Sequence, residues 1–439
     1  MYRIQSCHLT ISLSALLAAG AAGHVSDARA ANVQVTNCND SGPGSLRDGV
    51  AAASSGDTVD LRSLSCRRIT LTSGAIDIPQ ASLAIRGPGF DRMVVSGNYT
   101  SSVLRHSGLG TLSLSGLTIS RGHLSAEDAH GGCIYSAGNA DIVGVQVHDC
   151  GVFGNGRASG GGAYVVGDLR LFTSAVYDNR AAVGGGLLVL GNLRAHRVRI
   201  TGNIARGMSG EGGGFRVLNG ATITYATVAN NFAGVRSGGG EILGLEGVPT
   251  FIANSTFSGN SAGEQGGGLV TSNNGTTIIN TTFSGNASRF ISAAQLTPPA
   301  TVTNSTFAFN REDSGLLSCL AAVLTFGEIH LESTIVARNT CNGAPGWDVN
   351  GGGPDESSVI GADNLIESAY IPLPADTIRT DPLLLPLADN GGPTLTHALM
   401  DGSPAIAHGN NVLGLTNDQR GPGFARSKGD RTEIGSIER

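Results

Sequence analysis

The chain has 439 residues, of which 66 are glycine, 40% are hydrophobic and only 14% are charged, for a net charge of −6. Lysine occurs once, at Lys428. An acidic chain of this kind is no partner for nucleic acid, and its apolar content is too high for a disordered one.

The first thirty residues read as an export signal. Arg3 gives a short basic start, an alanine- and leucine-rich apolar stretch follows, and Ala28-Arg-Ala30 is a small-x-small cleavage site before Ala31. The apolar stretch is too short to span a membrane, and Cys7 lies too early for a lipoprotein anchor. No second apolar segment of spanning length follows, so no transmembrane helix is expected in the mature chain.

Residues 31–66 read as an N-terminal cap. Asn39-Asp-Ser-Gly-Pro-Gly44 is a turn. Ser45 then opens a short helix from Leu46 to about Ala53, with Asp48 in the capping-box position. A helix laid over the first coil of a stacked sheet would cover an otherwise open parallel edge.

Residues 67–370 carry a repeat. One phrase recurs as Asn254-Ser-Thr-Phe257-Ser-Gly-Asn260, Asn280-Thr-Thr-Phe283-Ser-Gly-Asn286 and Asn304-Ser-Thr-Phe307-Ala-Phe-Asn310. Its closing asparagines are 26 and then 24 residues apart. Looser copies place an apolar residue three positions before Asn179, Asn203, Asn231 and Asn339. Glycine runs at 160–162, 184–186, 212–214, 238–240 and 266–268 recur in phase. Between these marks the chain alternates apolar and polar residues, as in Ala221-Thr-Ile-Thr-Tyr-Ala-Thr-Val228.

A unit this short cannot bury its apolar face alone. Stacked coils can, because each strand pairs with its equivalent about 4.8 Å away. The expected fold is therefore all-β, a right-handed parallel β-helix of roughly 11–12 coils at roughly 26 residues each. Phe257, Phe283 and Phe307 should stack inside. The asparagines Asn179, Asn203, Asn231, Asn260, Asn286, Asn310 and Asn339 should occupy left-handed corners and pass amide hydrogen bonds along the stack. Asn254, Asn274, Asn280, Asn286 and Asn304 also sit in N-x-S/T sequons, so glycan attachment is the functional alternative for that phrase.

Cleavage after Ala30 leaves six cysteines, Cys38, Cys66, Cys133, Cys150, Cys319 and Cys341. An even number in an exported chain implies disulfides. The separations of 28, 17 and 22 are near one coil, which favours sequential pairing. Two longer polar loops interrupt the repeat. One, at 120–132, holds His123, Glu127, Asp128 and His130, which read as a solvated loop, with metal binding as the alternative. The other, at 341–358, holds Trp347. Residues 371–439 contain seven of the fifteen prolines and read as a loop-rich C-terminal module on the last coil.

Both ends of the mature chain resemble a family. Val35-Thr-Asn-Cys-Asn-Asp-Ser-Gly-Pro-Gly-Ser-Leu-Arg47, followed by Gly56-Asp-Thr-Val59, resembles the CSLREP-type N-terminal region of exported bacterial β-helix proteins. Leu387-Ala-Asp-Asn-Gly-Gly-Pro393-Thr-Leu-Thr-His397, with Asp418-Gln-Arg-Gly421 and Glu433-Ile-Gly-Ser-Ile-Glu438, resembles the choice-of-anchor Q domain. The middle repeats are similar to those of polymorphic outer-membrane proteins and adhesins. The resemblance implies an exported, adhesin-like β-helix at or beyond the cell surface.

Enzymes on this fold cleave acidic polysaccharides, but their motifs are missing. No adjacent Asp-Asp pair occurs, and Gly122-His123 lacks the glycine that would complete Gly-His-Gly. Arg420-Gly-Pro-Gly-Phe-Ala-Arg426 is one residue longer than a lyase Arg-x-Pro-x-x-Arg motif and reads as structural. A basic stripe is the candidate binding feature. Arg170 and Arg194 lie 24 residues apart and should stack, with Arg197, Arg199 and Arg216 close in register. Guanidinium groups so placed suit carboxylate or sulfate groups of a glycan; solvated strand-face arginines are the plainer reading. The expected function is non-catalytic glycan or cell-surface binding, with no cofactor. The alternative is a lyase or hydrolase of uronate polymers, which would bring in Ca²⁺.

Overall fold

The computed structural model describes residues 30–439 except 155, 208, 245–246, 273–274, 316–318, 353–355 and 430. The export signal expected at 1–30 lies outside the described residues but for Ala30, and so does the sequon asparagine Asn274. The folded unit runs from Ala31 to Arg439.

It is a right-handed parallel β-helix. One coil shows the plan. Leu187–Val189 forms the first leg. Leu193–His196 and Arg199–Thr201 form the second, bent at Arg197. The two-residue strand Ile204–Ala205 forms the third. Stacked coil on coil, the first legs make an 11-stranded sheet, the bent legs a 23-stranded sheet and the short legs a 10-stranded one. Coil-to-coil pairing is parallel and, but for a shift between Ile291 and Ala294, in register, so like residues stack: Phe257 faces Phe283, which faces Phe307. Their rings lie 4.8 Å and 4.5 Å apart and nearly coplanar in orientation. One continuous apolar core runs through the coils from Val35 to Ile371.

The cap is built into this stack. Asn32–Gln34 pairs with Thr58–Asp60, which pairs in turn with Leu83–Arg86. The helix Leu46–Ala52 begins at Ser45, whose hydroxyl accepts from the Asp48 N–H, and it buries Leu46, Gly49 and Val50. Disulfides join Cys38 to Cys66, Cys133 to Cys150 and Cys319 to Cys341. Bridges of this kind belong to an oxidising compartment.

The expected asparagine row is a continuous buried ladder. From Asn179 through Asn310, each side-chain amide donates both to the Oδ1 of the asparagine one coil on and to a carbonyl one coil back. For Asn260 these are Asn286 at 2.9 Å and Val228 at 2.9 Å. Each also donates its backbone N–H to the next Oδ1, as Asn260 does to Asn286 at 3.1 Å. The ladder ends where Asn339 donates to Asp348 at 2.8 Å.

The left-handed corner is elsewhere, however. It belongs to the residue before each ladder asparagine, as at Asp178, Gly202, Asn230, Gly259, Gly285 and Phe309. The ladder asparagine must turn its amide into the stack, and the preceding residue makes the turn that allows this. The glycine runs have two causes: the first glycine is left-handed at Gly160, Gly184, Gly212 and Gly266, and the second leaves no room for a side chain. A Cβ on Gly213 would stand 2.4 Å from the Gly238 carbonyl oxygen and 2.5 Å from that of Phe232. The coils approach too closely there for any side chain.

A second left-handed row lies at the bend of the long sheet. It reads Gly116, Gly144, Thr173, Arg197, Tyr225, Asn254, Asn280, Asn304 and Ser333, all with φ between 46° and 61°.

The C-terminal module touches the last coil, where Ile366 and Asn364 bond Ile378, but it does not stop there. It doubles back along the outer face of the bent sheet. Asn254 donates its side chain to the Asp418 carbonyl, Asn280 to that of Asn417 and Asn304 to that of Asn410. Gln419, fully buried, donates to Thr256 Oγ1 at 2.9 Å and accepts from Thr282 Oγ1 at 2.6 Å. Arg426 is buried beside Glu438 and donates to the carbonyls of Gly435 and Glu433. Arg420 is clamped by Asp418. Both ends of the Arg420–Arg426 segment therefore hold the module together. No helix among the described residues is long and apolar enough to cross a membrane.

Candidate functional site

The module covers the bent sheet from about Asn254 onward and touches the coil before it, where Gly421 adjoins Tyr225. Upstream, the outward residues of the same legs are open. Strand alternation puts Val198 and Ile200 into the core and leaves Arg197 and Arg199 facing solvent. Arg170 and Arg194 are direct partners on neighbouring coils. Arg170 reaches Asp141 at 3.3 Å and lies over the Phe172 ring. Among the described residues, none of Arg194, Arg197 and Arg199 has an acidic partner within ion-pair distance.

Arg216 does not join them. It lies on the glycine-led sheet, where its Nη1 meets Glu211 at 2.7 Å and its Nε meets the buried Glu241 at 2.7 Å. Arg236 binds the same Glu241 at 2.7 Å. Burial pushes the Glu241 carboxyl up, and the two guanidiniums pull it back. Two arginines are consumed by two glutamates there, so the stripe expected from the sequence is four residues on one face, not five. A sequence count gives spacing along the chain but not the leg on which a residue falls.

Two clefts open on the bent face. The first, of about 410 Å³, is lined by Asn139, Asp141, Asp168, Arg170, Asn192 and Arg194. Its floor is a short side-chain stack: Asn139 Oδ1 accepts the Asp168 N–H at 2.8 Å, and Asp168 Oδ1 accepts the Asn192 N–H at 2.8 Å. It is charge-mixed.

The second, of about 540 Å³, lies where the open coils meet the module. Arg197, Arg199, Tyr225 and Thr227 form one side, and Gly392, Pro393, Arg420 and Pro422 the other. Arg420 is already neutralised by Asp418, so the available charge there is that of Arg197 and Arg199. Arg197 lies 6.0 Å over the Tyr225 ring. His196 stands beside them, with Nδ1 on Thr224 Oγ1 at 2.8 Å and its ring edge-on to Tyr225. Burial first, and Arg197 second, push its pKa down, so it is neutral at pH 7.

The backbone here is unusual. Thr173, Arg197 and Tyr225 all hold the left-handed conformation at the bend. For a β-branched, a long and an aromatic residue this costs about 1–2 kcal/mol each. Nothing in the sequence marks these three positions.

The other sequence candidates are dispersed. His123 stacks on Phe153, while His130 stacks on Tyr164 and bonds Ser159 Oγ at 2.7 Å. Neither joins Glu127 and Asp128 in a group of three or more metal-ligating side chains among the described residues. Trp347 packs edge-on to Tyr370. The sequon residues Asn280, Asn286 and Asn304 are buried, with their amides committed to the module or the ladder.

No protein-family model matches the chain, and no curated protein matches it. Solved structures do resemble it. A pectate lyase, Pel9A, is similar over 93% of this chain and 96% of its own, with a TM-score of 0.48 and 15% identity. An alginate lyase of the PL6 family, AlyGC, is similar over 83% of this chain and 55% of its own, with a TM-score of 0.42 and 13% identity.

Proposed function

We propose that this is an exported β-helix protein that binds carboxylated polysaccharide on the open face of its bent sheet. The observation that carries the reading is the pair Arg197 and Arg199, solvent-facing and without acidic partners, at the cleft beside Tyr225. A guanidinium fork matches a uronate carboxylate in shape and charge. Export rests on the Ala28-Arg-Ala30 cleavage site, on the likeness of both ends to exported β-helix proteins, and on three disulfides. The reading uses no cofactor.

The test is affinity electrophoresis of residues 31–439 through gels containing pectate, alginate or a neutral glucan. Retardation by the acidic polymers alone, lost in Arg197→Ala/Arg199→Ala, is expected. Equal mobility in all three gels would end the reading.

One observation favours a second reading, elimination in a uronate polymer. His196 is neutral and adjoins Arg197, so it can take the C5 proton while the arginines hold the carboxylate, a task otherwise suited to Ca²⁺. The C4–O4 bond then breaks, a C4–C5 double bond forms, and water returns a proton to O4. Ultraviolet absorbance of an unsaturated uronate, abolished in His196→Ala, would establish it; no absorbance change leaves binding as the function.

A further inference from the structure

Polymers that bind along a solenoid engage the same row of side chains on successive coils, because like residues stack. Here the open stretch of the row through Arg199 is short. From Arg68 to Leu365 its members in register are Arg68, Val94, Thr118, Gln146, Ala175, Arg199, Thr227, Thr256, Thr282, Thr306, Ile335 and Leu365. Thr256, Thr282 and Thr306 are sealed under the module, with Thr256 Oγ1 donating to the Leu395 carbonyl at 2.6 Å. Thr118 is sealed at the other end, where its hydroxyl donates to the Phe90 carbonyl at 2.7 Å.

Between these two seals four positions are open, Gln146 through Thr227; the exposed Arg68 lies in the same row but beyond the buried Thr118. The four span three strand spacings, or roughly 14 Å. At the module end the row does not fade into open surface. It runs into a wall, since Pro393 and Pro422 line the same cleft as Arg199 and Thr227. Arg199 stands one coil short of that wall, with Arg197 at the bend of the same coil, and both line the cleft that the prolines close.

We infer that the protein recognises chain ends: the terminal uronate of an acidic glycan seats against Pro393 and Pro422, with its carboxylate on Arg197 and Arg199. This rests on the binding reading above and deepens it. A chain lying along the axis cannot pass the module, so an internal segment cannot place a carboxylate on these arginines with sugars continuing on both sides. A terminal sugar can. Groups at the end of a closed trough also lose more water on binding than groups on an open face, which strengthens a guanidinium–carboxylate pair.

Stoichiometry tests this. Titrate residues 31–439 calorimetrically with oligogalacturonates of increasing defined length and with polygalacturonate, counting chains by their reducing ends. The expected result is one protein per chain at every length above a few sugars, with an affinity per chain end that stays constant within about twofold. Protein bound in proportion to chain length would overturn end recognition while leaving glycan binding intact. Absence of binding to oligomer and polymer alike would overturn the binding reading and this inference with it. Arg197→Ala/Arg199→Ala should lower the affinity per end at least tenfold, with the far-ultraviolet circular dichroism unchanged.

Discussion

The bend of the long sheet is used in two ways along one molecule. Under the module the left-handed residues are Asn254, Asn280 and Asn304, whose amides donate to the carbonyls of Asp418, Asn417 and Asn410. On the open coils the same position holds Thr173, Arg197 and Tyr225. The backbone demand is identical, since φ lies between 46° and 52° at all six. Asparagine meets that demand cheaply and satisfies the module at once. Tyr225 adjoins Gly421 of the module, whereas among the described residues no bond to the module explains the strain at Thr173 and Arg197. Backbone strain kept in place by rigid surroundings gathers at functional surfaces, and the contrast separates a bend that serves the fold from one that serves a ligand.

The ladder underlies both regions without change, so it offers the largest perturbation and a control. Asn203→Ala in the open coils and Asn260→Ala in the covered ones each remove the same buried bonds: one to the next asparagine, one to a carbonyl behind and two received from the preceding coil. Orphaned buried polar groups make each change cost about 4 kcal/mol. Equal losses in chemical denaturation are expected. A markedly smaller loss for Asn260→Ala would mean that the module, not the ladder, supports the covered coils.

Gln419→Ala probes the module itself. That side chain ties Thr256, Thr282 and the Ser255 carbonyl to the C-terminal residues from full burial. Its loss should cost about 3 kcal/mol, concentrated at the docked face, and should speed proteolysis within residues 371–439 while leaving the open coils intact by hydrogen exchange. Uniform loss of protection along the chain would show that the two regions are one cooperative unit.

The fold was legible in the sequence because stacking writes itself into the repeat: the ladder asparagines, Phe257, Phe283 and Phe307 and the glycine runs each mark one position in every coil. Arg170 and Arg194 were legible for the same reason, their spacing of 24 being one coil. The rest was not. Arg216 looked like a fifth member because a chain count does not tell one leg from another. Arg197 and Tyr225 carry no signal of a left-handed bend, since neither residue type favours it. The docking of the module depends on contacts more than a hundred residues apart, such as Gln419 with Thr256, and no local pattern records those. Asn254, Asn280 and Asn304 opened the most regular phrase in the chain, yet their partners lie in its least regular part.

A smaller effect is expected with pH, also at the covered end. Burial pushes Asp348, where the ladder stops, up to about 7 and Glu312 up to about 8. Both folded values lie above the unfolded ones, so between pH 4 and 8 the folded chain holds protons that the unfolded chain has released. Stability from these groups is therefore present at low pH and falls as pH rises through that window, by on the order of 2 kcal/mol for each once relaxation is allowed for. Asp348→Asn with Glu312→Gln should flatten the decline in thermal midpoint between pH 5 and 8. An undiminished decline would place its origin elsewhere.

The smallest effect is the most discriminating. Glycine adopts the left-handed bend without a Cβ penalty, so Arg197→Gly should relieve strain of about 1 kcal/mol, less what glycine costs in chain entropy. The thermal midpoint should hold or rise slightly, while retardation by pectate falls. Asn280→Gly, at the same bend under the module, should do the reverse: it gives up the bond to the Asn417 carbonyl, lowers the midpoint and leaves pectate binding alone. Opposite signs at two positions with one backbone conformation cannot come from the bend itself. They would assign the cost of Arg197 to the ligand. If Arg197→Gly instead destabilises as Asn280→Gly does, the arginine is serving the fold, and the open coils differ from the covered ones only in lacking a module.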